Sequence, residues 1–314
     1  MEASGKKFAV LLCADDSEYV KKMYGGYFGV FLRMLAEEGE TWAVFRVARG
    51  EFPEDDEIGE FDGFVITGSC NDAHGNDAWI CKLLNLLNKL NSMKKKVLGI
   101  CFGHQILGRA IGGKTGRATG GWDIGVTTVH LKKSKVFTSL KMPAFLNILE
   151  VHQDEIRELP AKAEILAWSI KTGIEMFRYG DHFMGIQGHP EYTKDILLNL
   201  VDRLNRGNLI KDDMAAAAKA RVAENELNRE AWKKLAIQAL QWNERQRVVR
   251  IIIIMELKRM ADFKFFTRGT KESRFKLTSW KALDCTLQAS EFPKALAEGA
   301  AAAVAGAGAA TVSC

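Results

Sequence analysis

The feature that most constrains this chain is an alternation in its first 113 residues. Short apolar runs are each followed by a stretch with helical spacing. "KFAVLLCA" (7–14), "TWAVFRVA" (41–48), "GFVITGS" (63–69) and "KKKVLGIC" (94–101) read as strands. "YFGVFLRMLAEEG" (27–39), "DAWICKLLNLLNKL" (77–90) and "GHQILGRAIGG" (103–113) read as helices, the first stopping at Gly39 and the last broken by glycines. The acidic stretch "EFPEDDEIGEFD" (51–62) reads as a solvated loop. Strands and helices alternating at this spacing imply an α/β fold, a mostly parallel sheet flanked by helices on both faces.

The middle of the chain changes character. "WDIGVTTVHL", "AFLNILEVHQ", "AEILAWSI", "GIEMFRYG" and "HFMGIQGHP" are strand-like runs with short connections, which fit an antiparallel section appended to the parallel sheet. Helical spacing returns in "YTKDILLNLVDRLN" (192–205). The run 211–240 is rich in helix formers and reads as one closing helix. Residues 1–240 are therefore expected to form one domain. Residues 241–314 lose periodicity and end in "ALAEGAAAAVAGAGAATVSC", an irregular basic and Ala/Gly-rich tail expected to be weakly ordered.

Charge removes one class of function. The chain carries 44 Lys and Arg against 39 Asp and Glu. Residues 241–314 hold 12 of the bases and 7 of the acids, so 1–240 is balanced at 32 of each. A nucleic-acid surface needs clustered excess charge, and the body has none. No apolar run reaches the roughly 20 residues of a membrane span. "IIII" (251–254) is bounded by Arg250 and Glu256. The start, "MEASGKKFAVLLCADD", lacks the form of a secretory signal. The six cysteines form no CxxC pair and no zinc pattern, and no GxxxxGK[ST] loop is present. These features predict a cytosolic protein with free thiols, no metal and no cofactor.

The chemistry concentrates in "VLGICFGHQILG" (97–108), where a strand runs into Cys101 and a helix begins. Gly99-x-Cys101-x-Gly103 has the frame of a nucleophile elbow with sulfur in place of oxygen. A sharp strand-to-helix turn leaves no room for side chains two residues to either side of the nucleophile. The following helix N-terminus favours a thiolate and offers N–H groups to an oxyanion. Among six histidines, His189 in "GIQGHPEYT" follows a strand-like run and stands two residues before Glu191, across Pro190. Proline stiffens that segment. Glu191 is then able to hold one imidazole nitrogen while the other faces Cys101, the nucleophile–base–orienter arrangement of cysteine hydrolases.

"GICFGHQILG" followed 88 residues after the Cys by "GHPE" resembles the class I glutamine amidotransferase family over roughly residues 8–205. The resemblance implies the family's flavodoxin-like fold and a triad of Cys101, His189 and Glu191. It implies an oxyanion site from the backbone N–H groups of Gly68 or Ser69, in "VITGS", together with Phe102. It also implies a glutamyl pocket lined by Gln105 and, more loosely, by His152 and Gln153 of "EVHQDEI". Within the family, "ITGSCNDAHGNDAWI" (66–80), "GICFGHQILGRAIGGKTGRATGGWDIG" (99–125) and "GIQGHPEYT" (185–193) are similar to the plant γ-glutamyl peptidases. These are free-standing cytosolic enzymes that cut the γ-glutamyl bond of glutathione and its conjugates.

Two further readings stay open at this point: a glutaminase subunit feeding ammonia to a separate synthetase, and a non-enzymatic scaffold that kept the fold. The substrate partner expected is a small γ-glutamyl peptide, with neither nucleic acid nor membrane. Oligomeric state is not fixed by the sequence. His104 reads as a structural residue. Cys13, Cys70 and Cys81 read as packing residues, and Asp15, Asp16, Asp72 and Asp77 as loop carboxylates or helix caps, with recognition of a substrate amino group the second reading. Trp122 and Asp123 read as a rigid turn.

Overall fold

A computed structural model describes residues 5–241. The tail expected at 241–314 lies, from residue 242 on, outside the described residues. Four strands on one side of the sheet are parallel: β1 (Lys7–Leu11), β2 (Thr41–Phe45), β3 (Gly63–Ile66) and β4 (Lys96–Ile100), in the order β2-β1-β3-β4 with β2 at the edge. The sheet continues through β11 (Phe183–Ile186), parallel to β4, into an antiparallel section of β10 (Met176–Tyr179), β9 (Ala163–Trp168), β6 (Asp123–Leu131) and β7 (Phe145–His152). The appended antiparallel section expected from the sequence is thus part of the same nine-stranded sheet.

Strands β1, β3 and β4 are buried on both faces, which is why they read as unbroken apolar runs rather than as alternation. Along β1, Phe8, Val10 and Leu12 enter one core while Ala9, Leu11 and Cys13 enter the other. The first core is closed by α2 (Tyr27–Leu35), through Phe31 and Met34, and by α8 (Arg229–Gln241), through Trp232 and Leu235. The second is closed by α3 (Ala78–Ser92), through Leu83 and Leu87, and by α4 (Phe102–Ala110), through Ile106 and Leu107. A third apolar cluster packs α6 (Lys194–Arg206) and α7 (Asp212–Glu224) against β6 and β7.

Several elements differ from expectation. A helix α1 (Glu18–Tyr24) precedes α2. Ser17 accepts the Val20 N–H at its start, and Gly25 takes the left-handed conformation (φ 77°) at its end. It was missed because a seven-residue helix carries only one buried residue, Val20, and so no periodic signal. The closing helix is two helices, α7 and α8, with the chain leaving helical geometry at Asn225. "GGKTGRATGG" hides a short strand, β5 (Lys114–Arg117), which pairs antiparallel with β8 (Asp154–Glu158) as a separate ribbon. One further short helix, α5 (Lys135–Leu140), starts at Ser134.

Candidate active site

Three neighbouring parallel strands end at one edge of the sheet, and each delivers one part of the site. In register, Ile66 of β3 lies beside Gly99 of β4, and Ile186 of β11 beside Ile100. The residues that follow these strands, Gly68, Cys101 and His189, therefore emerge together, at the carboxyl ends where ligands of such sheets gather. The backbone N–H of His189 donates to the Leu149 carbonyl of β7 at 2.7 Å, which pins the loop after β11.

Cys101 adopts φ 54° and ψ −106°, a conformation rare for a residue with a side chain. The turn holds because both glycines of the elbow allow close contact. A Cβ on Gly99 would stand 2.3 Å from the Gly103 carbonyl oxygen, and one on Gly103 2.3 Å from that of Ile66. The next residue, Phe102, opens α4 and stacks on Trp79 with centroids 5.5 Å apart.

His189 is buried, and its Nδ1–H donates to Glu191 Oε1 at 2.8 Å. Its other side reaches the thiol of Cys101. Burial by itself disfavours a charged imidazole, but the Glu191 carboxylate and Cys101 outweigh it and hold the ring well above its ordinary value. Gly68 leans on both partners, since a Cβ there would lie 2.8 Å from His189 Cε1 and 3.6 Å from Cys101 Cβ. Tyr192 stacks face to face on the imidazole, 4.1 Å between centroids and 9° between planes. The sequence reading missed Tyr192. Its only signal was an aromatic one residue past the His-Pro-Glu run.

The remaining expected residues fall as follows. Ser69 donates its hydroxyl to the Cys13 carbonyl at 2.7 Å and accepts from Asn71, so its side chain braces the loop and only its backbone is available to a ligand. Gln105 is buried, and its amide donates to the Asp154 carbonyl at 2.8 Å and to Gln187 Oε1 at 3.1 Å, leaving Oε1 for any contact with a ligand. His152 is turned inward, with Nδ1 on the Asp154 carbonyl at 2.9 Å and Nε2 3.4 Å from Glu150 Oε2. Gln153 accepts from Arg117 at 2.9 Å. His104 is fully buried against Phe177 and bonded to the Ile174 carbonyl at 3.1 Å. Burial pushes its pKa down to about 3, as suits a structural residue.

Asp15 pairs with Arg49, and Asp16 accepts the Tyr27 N–H at the start of α2. Asp77 stands at the N-cap of α3. Two readings need correction. Cys70 is exposed rather than packed, because it sits on the loop beyond β3. Asp123 is buried at the start of β6 and does not lie in a turn, because strand pairing with His152 carries it into the interior.

Asp72, His74 and Asp154 bring donor atoms within 4.8 Å of one another. The Arg117 guanidinium already neutralises this group, lying 3.1 Å from Asp72 Oδ1 and 2.8 Å from Asp154 Oδ1. An arginine cation in the middle of the donor set does not suit a metal ion. This charged cluster was illegible in the sequence, since it joins the ends of β5 and β8 to the loop after β3.

Comparison with known proteins places this geometry. The glutamine amidotransferase class-I profile matches residues 20–196, a span that contains Cys101, His189 and Glu191. The chain is 48% identical over 245 residues to γ-glutamyl peptidase 5 of Arabidopsis thaliana, covering 77% of this chain and 98% of that protein. It is 48% identical over 235 residues to γ-glutamyl peptidase 3 of the same plant, covering 73% and 94%. Among solved structures, a glutamine amidotransferase from Thermotoga maritima shares the fold with a TM-score of 0.58 and 20% identity, over 76% of this chain and 99% of that one. The chain belongs to the class I glutamine amidotransferase family.

Proposed function

We propose that the protein is a γ-glutamyl peptidase that hydrolyses the γ-glutamyl bond of glutathione or its conjugates. One observation carries the reading: Cys101, on its strained elbow, His189 and Glu191 converge at the ends of two adjacent strands. The two plant relatives bearing the name γ-glutamyl peptidase support the substrate class.

In this mechanism the Cys101 thiolate attacks the γ-carbonyl carbon. The tetrahedral oxyanion is held by the backbone N–H of Phe102 and those of Gly68 or Ser69. His189, orientated by Glu191, carries the proton taken from the thiol and gives it to the leaving amine as the C–N bond breaks. A glutamyl thioester remains. Water, deprotonated by the now neutral His189, attacks it, and glutamate leaves as the thiol is regenerated. Gln105, His152 and Gln153 are assigned to the glutamyl pocket, with Gln105 contributing Oε1. The need for a reduced thiol fits the cytosol as the place of action.

Glutamate release from glutathione, a glutathione S-conjugate and glutamine, by wild type and Cys101→Ala, tests the proposal. We expect rapid release from the peptides, little from glutamine, and a loss of at least roughly 10⁴-fold in the variant. Release from glutamine alone, or only after a second protein is added, would replace this reading with that of a glutaminase subunit. Full activity in Cys101→Ala would end both.

A further inference from the structure

The proposed chemistry gives no task to Tyr192, yet its ring lies flat on the imidazole of His189, with 4.1 Å between centroids and 9° between planes. The placement begins in the sequence. His189-Pro190-Glu191-Tyr192 closes a turn in which the Tyr192 N–H donates to the His189 carbonyl at 3.3 Å, with proline in the position that such turns favour. The turn folds Tyr192 back over the residue three before it. Neighbours from two other elements hold it there. Arg229 of α8 donates to the Tyr192 carbonyl, and the Tyr27 ring of α2 packs on the Tyr192 ring with centroids 6.1 Å apart. Asp16 in turn accepts the Tyr27 N–H at 2.6 Å. Tyr192 is 7% exposed and His189 3%, so the two rings meet out of water.

An aromatic face carries the negative part of the ring quadrupole. A cation within about 6 Å of the centroid is attracted to it, and more strongly where both are desolvated. A neutral imidazole gains less from the same contact. The stack therefore favours the charged form of the base, which is the form that pairs with a Cys101 thiolate. We propose that Tyr192 is a positioning residue whose ring face holds the imidazole between Cys101 and Glu191 and stabilises the imidazolium–thiolate pair. The inference rests on the reading of His189 as the base. The ring brings no charge of its own, since burial pushes the Tyr192 hydroxyl well above its ordinary value. The ionisable groups that face the imidazole are Glu191 and Cys101, and Glu150 of β7 feels its charge. Glu150 itself has His152 Nε2 3.4 Å from Oε2. Substitution at position 192 leaves all of these in place, so a shift in the titration reports on the ring.

The pH dependence of Cys101 alkylation by iodoacetamide reads the imidazolium–thiolate pair without any peptidase turnover. It is followed on the full chain by the mass of the peptide that contains Cys101. Tyr192→Phe keeps the ring face and should keep the wild-type midpoint on the acid side of the profile. Tyr192→Leu removes the face and should raise that midpoint by at least about half a pH unit. Tyr192→pentafluorophenylalanine keeps the shape of the ring but reverses its quadrupole, and should raise the midpoint at least as far. Because its packing is preserved, this variant decides the matter should Tyr192→Leu not fold. An unmoved midpoint in either of these two variants, or a rise in Tyr192→Phe as large as theirs, would overturn the proposal. His189→Asn separates the two levels of the argument. A profile that His189→Asn leaves in place removes the reading of His189 as the base, and the inference with it. A profile that moves in His189→Asn but not with the ring at 192 removes the inference alone.

Discussion

At Cys101 a positive φ, a thiol and a helix start coincide, and the strain is held by what surrounds it. The glycine that leans on both Cys101 and His189 is Gly68. An alanine there keeps an unstrained backbone but drives its Cβ to 2.8 Å from His189 Cε1. We expect Gly68→Ala to leave the urea midpoint near wild type while lowering kcat/KM roughly 10- to 100-fold through a misplaced imidazole. Unchanged kinetics would show that the His189 loop moves aside without cost. Cys101, His189 and Glu191, the proposed nucleophile, base and carboxylate, were all legible as residues, because a G-x-C-x-G frame and a His-Pro-Glu run are local patterns. Tyr192 and the burial of Glu150 and Glu175 were not, because they depend on what these side chains face, and a buried glutamate looks the same in sequence as a solvated one.

At the scale of elements, the site depends on α4 seating against β3 as closely as backbone allows. A Cβ on Gly103 meets the Ile66 carbonyl oxygen at 2.3 Å and the Ile66 side chain at 2.9 Å. Since neither is the free end of a flexible side chain, Gly103→Ala must push the helix off the strand. The expected cost is about 1–3 kcal/mol in chemical denaturation, accompanied by loss of hydrolysis as the elbow shifts. A variant as stable as wild type would mean that the helix and strand can part without loss of packing. The strands β1 to β4 and the helices α2, α3 and α4 were readable because each carries an apolar run or stripe. Helix α1, strand β5 and the break between α7 and α8 were not, because they are set by caps, by a partner strand distant in sequence, and by packing on separate faces.

For the molecule as a whole, buried ionisable groups tie stability to pH. His104 is neutral in the fold, with its pKa held down at about 3 against 6.5 when unfolded. The unfolded chain therefore binds this proton first. Stability contributed at neutral pH is lost as pH falls below about 6.5, at about 1.4 kcal/mol per pH unit from this one group, until the folded value is reached. Glu150 and Glu175, raised in the fold, act with the opposite sign and favour the folded state as acid is added. His104→Gln, which keeps a donor for the Ile174 carbonyl, should flatten the loss measured between about pH 6 and 4 by that slope. An unaltered slope would show that His104 takes its proton without unfolding. By itself the sequence determined the alternating α/β architecture, the antiparallel extension and the residues able to do thiol chemistry, because apolar periodicity and short glycine-framed turns act over neighbouring positions. Only the tertiary structure decided that β3, β4 and β11 lie side by side so that Gly68, Cys101 and His189 meet, that Arg117 fills the Asp72–Asp154 cluster, and that Glu150 and Glu175 are buried. Those outcomes depend on strand order and on burial, which sum contacts between residues far apart in the chain.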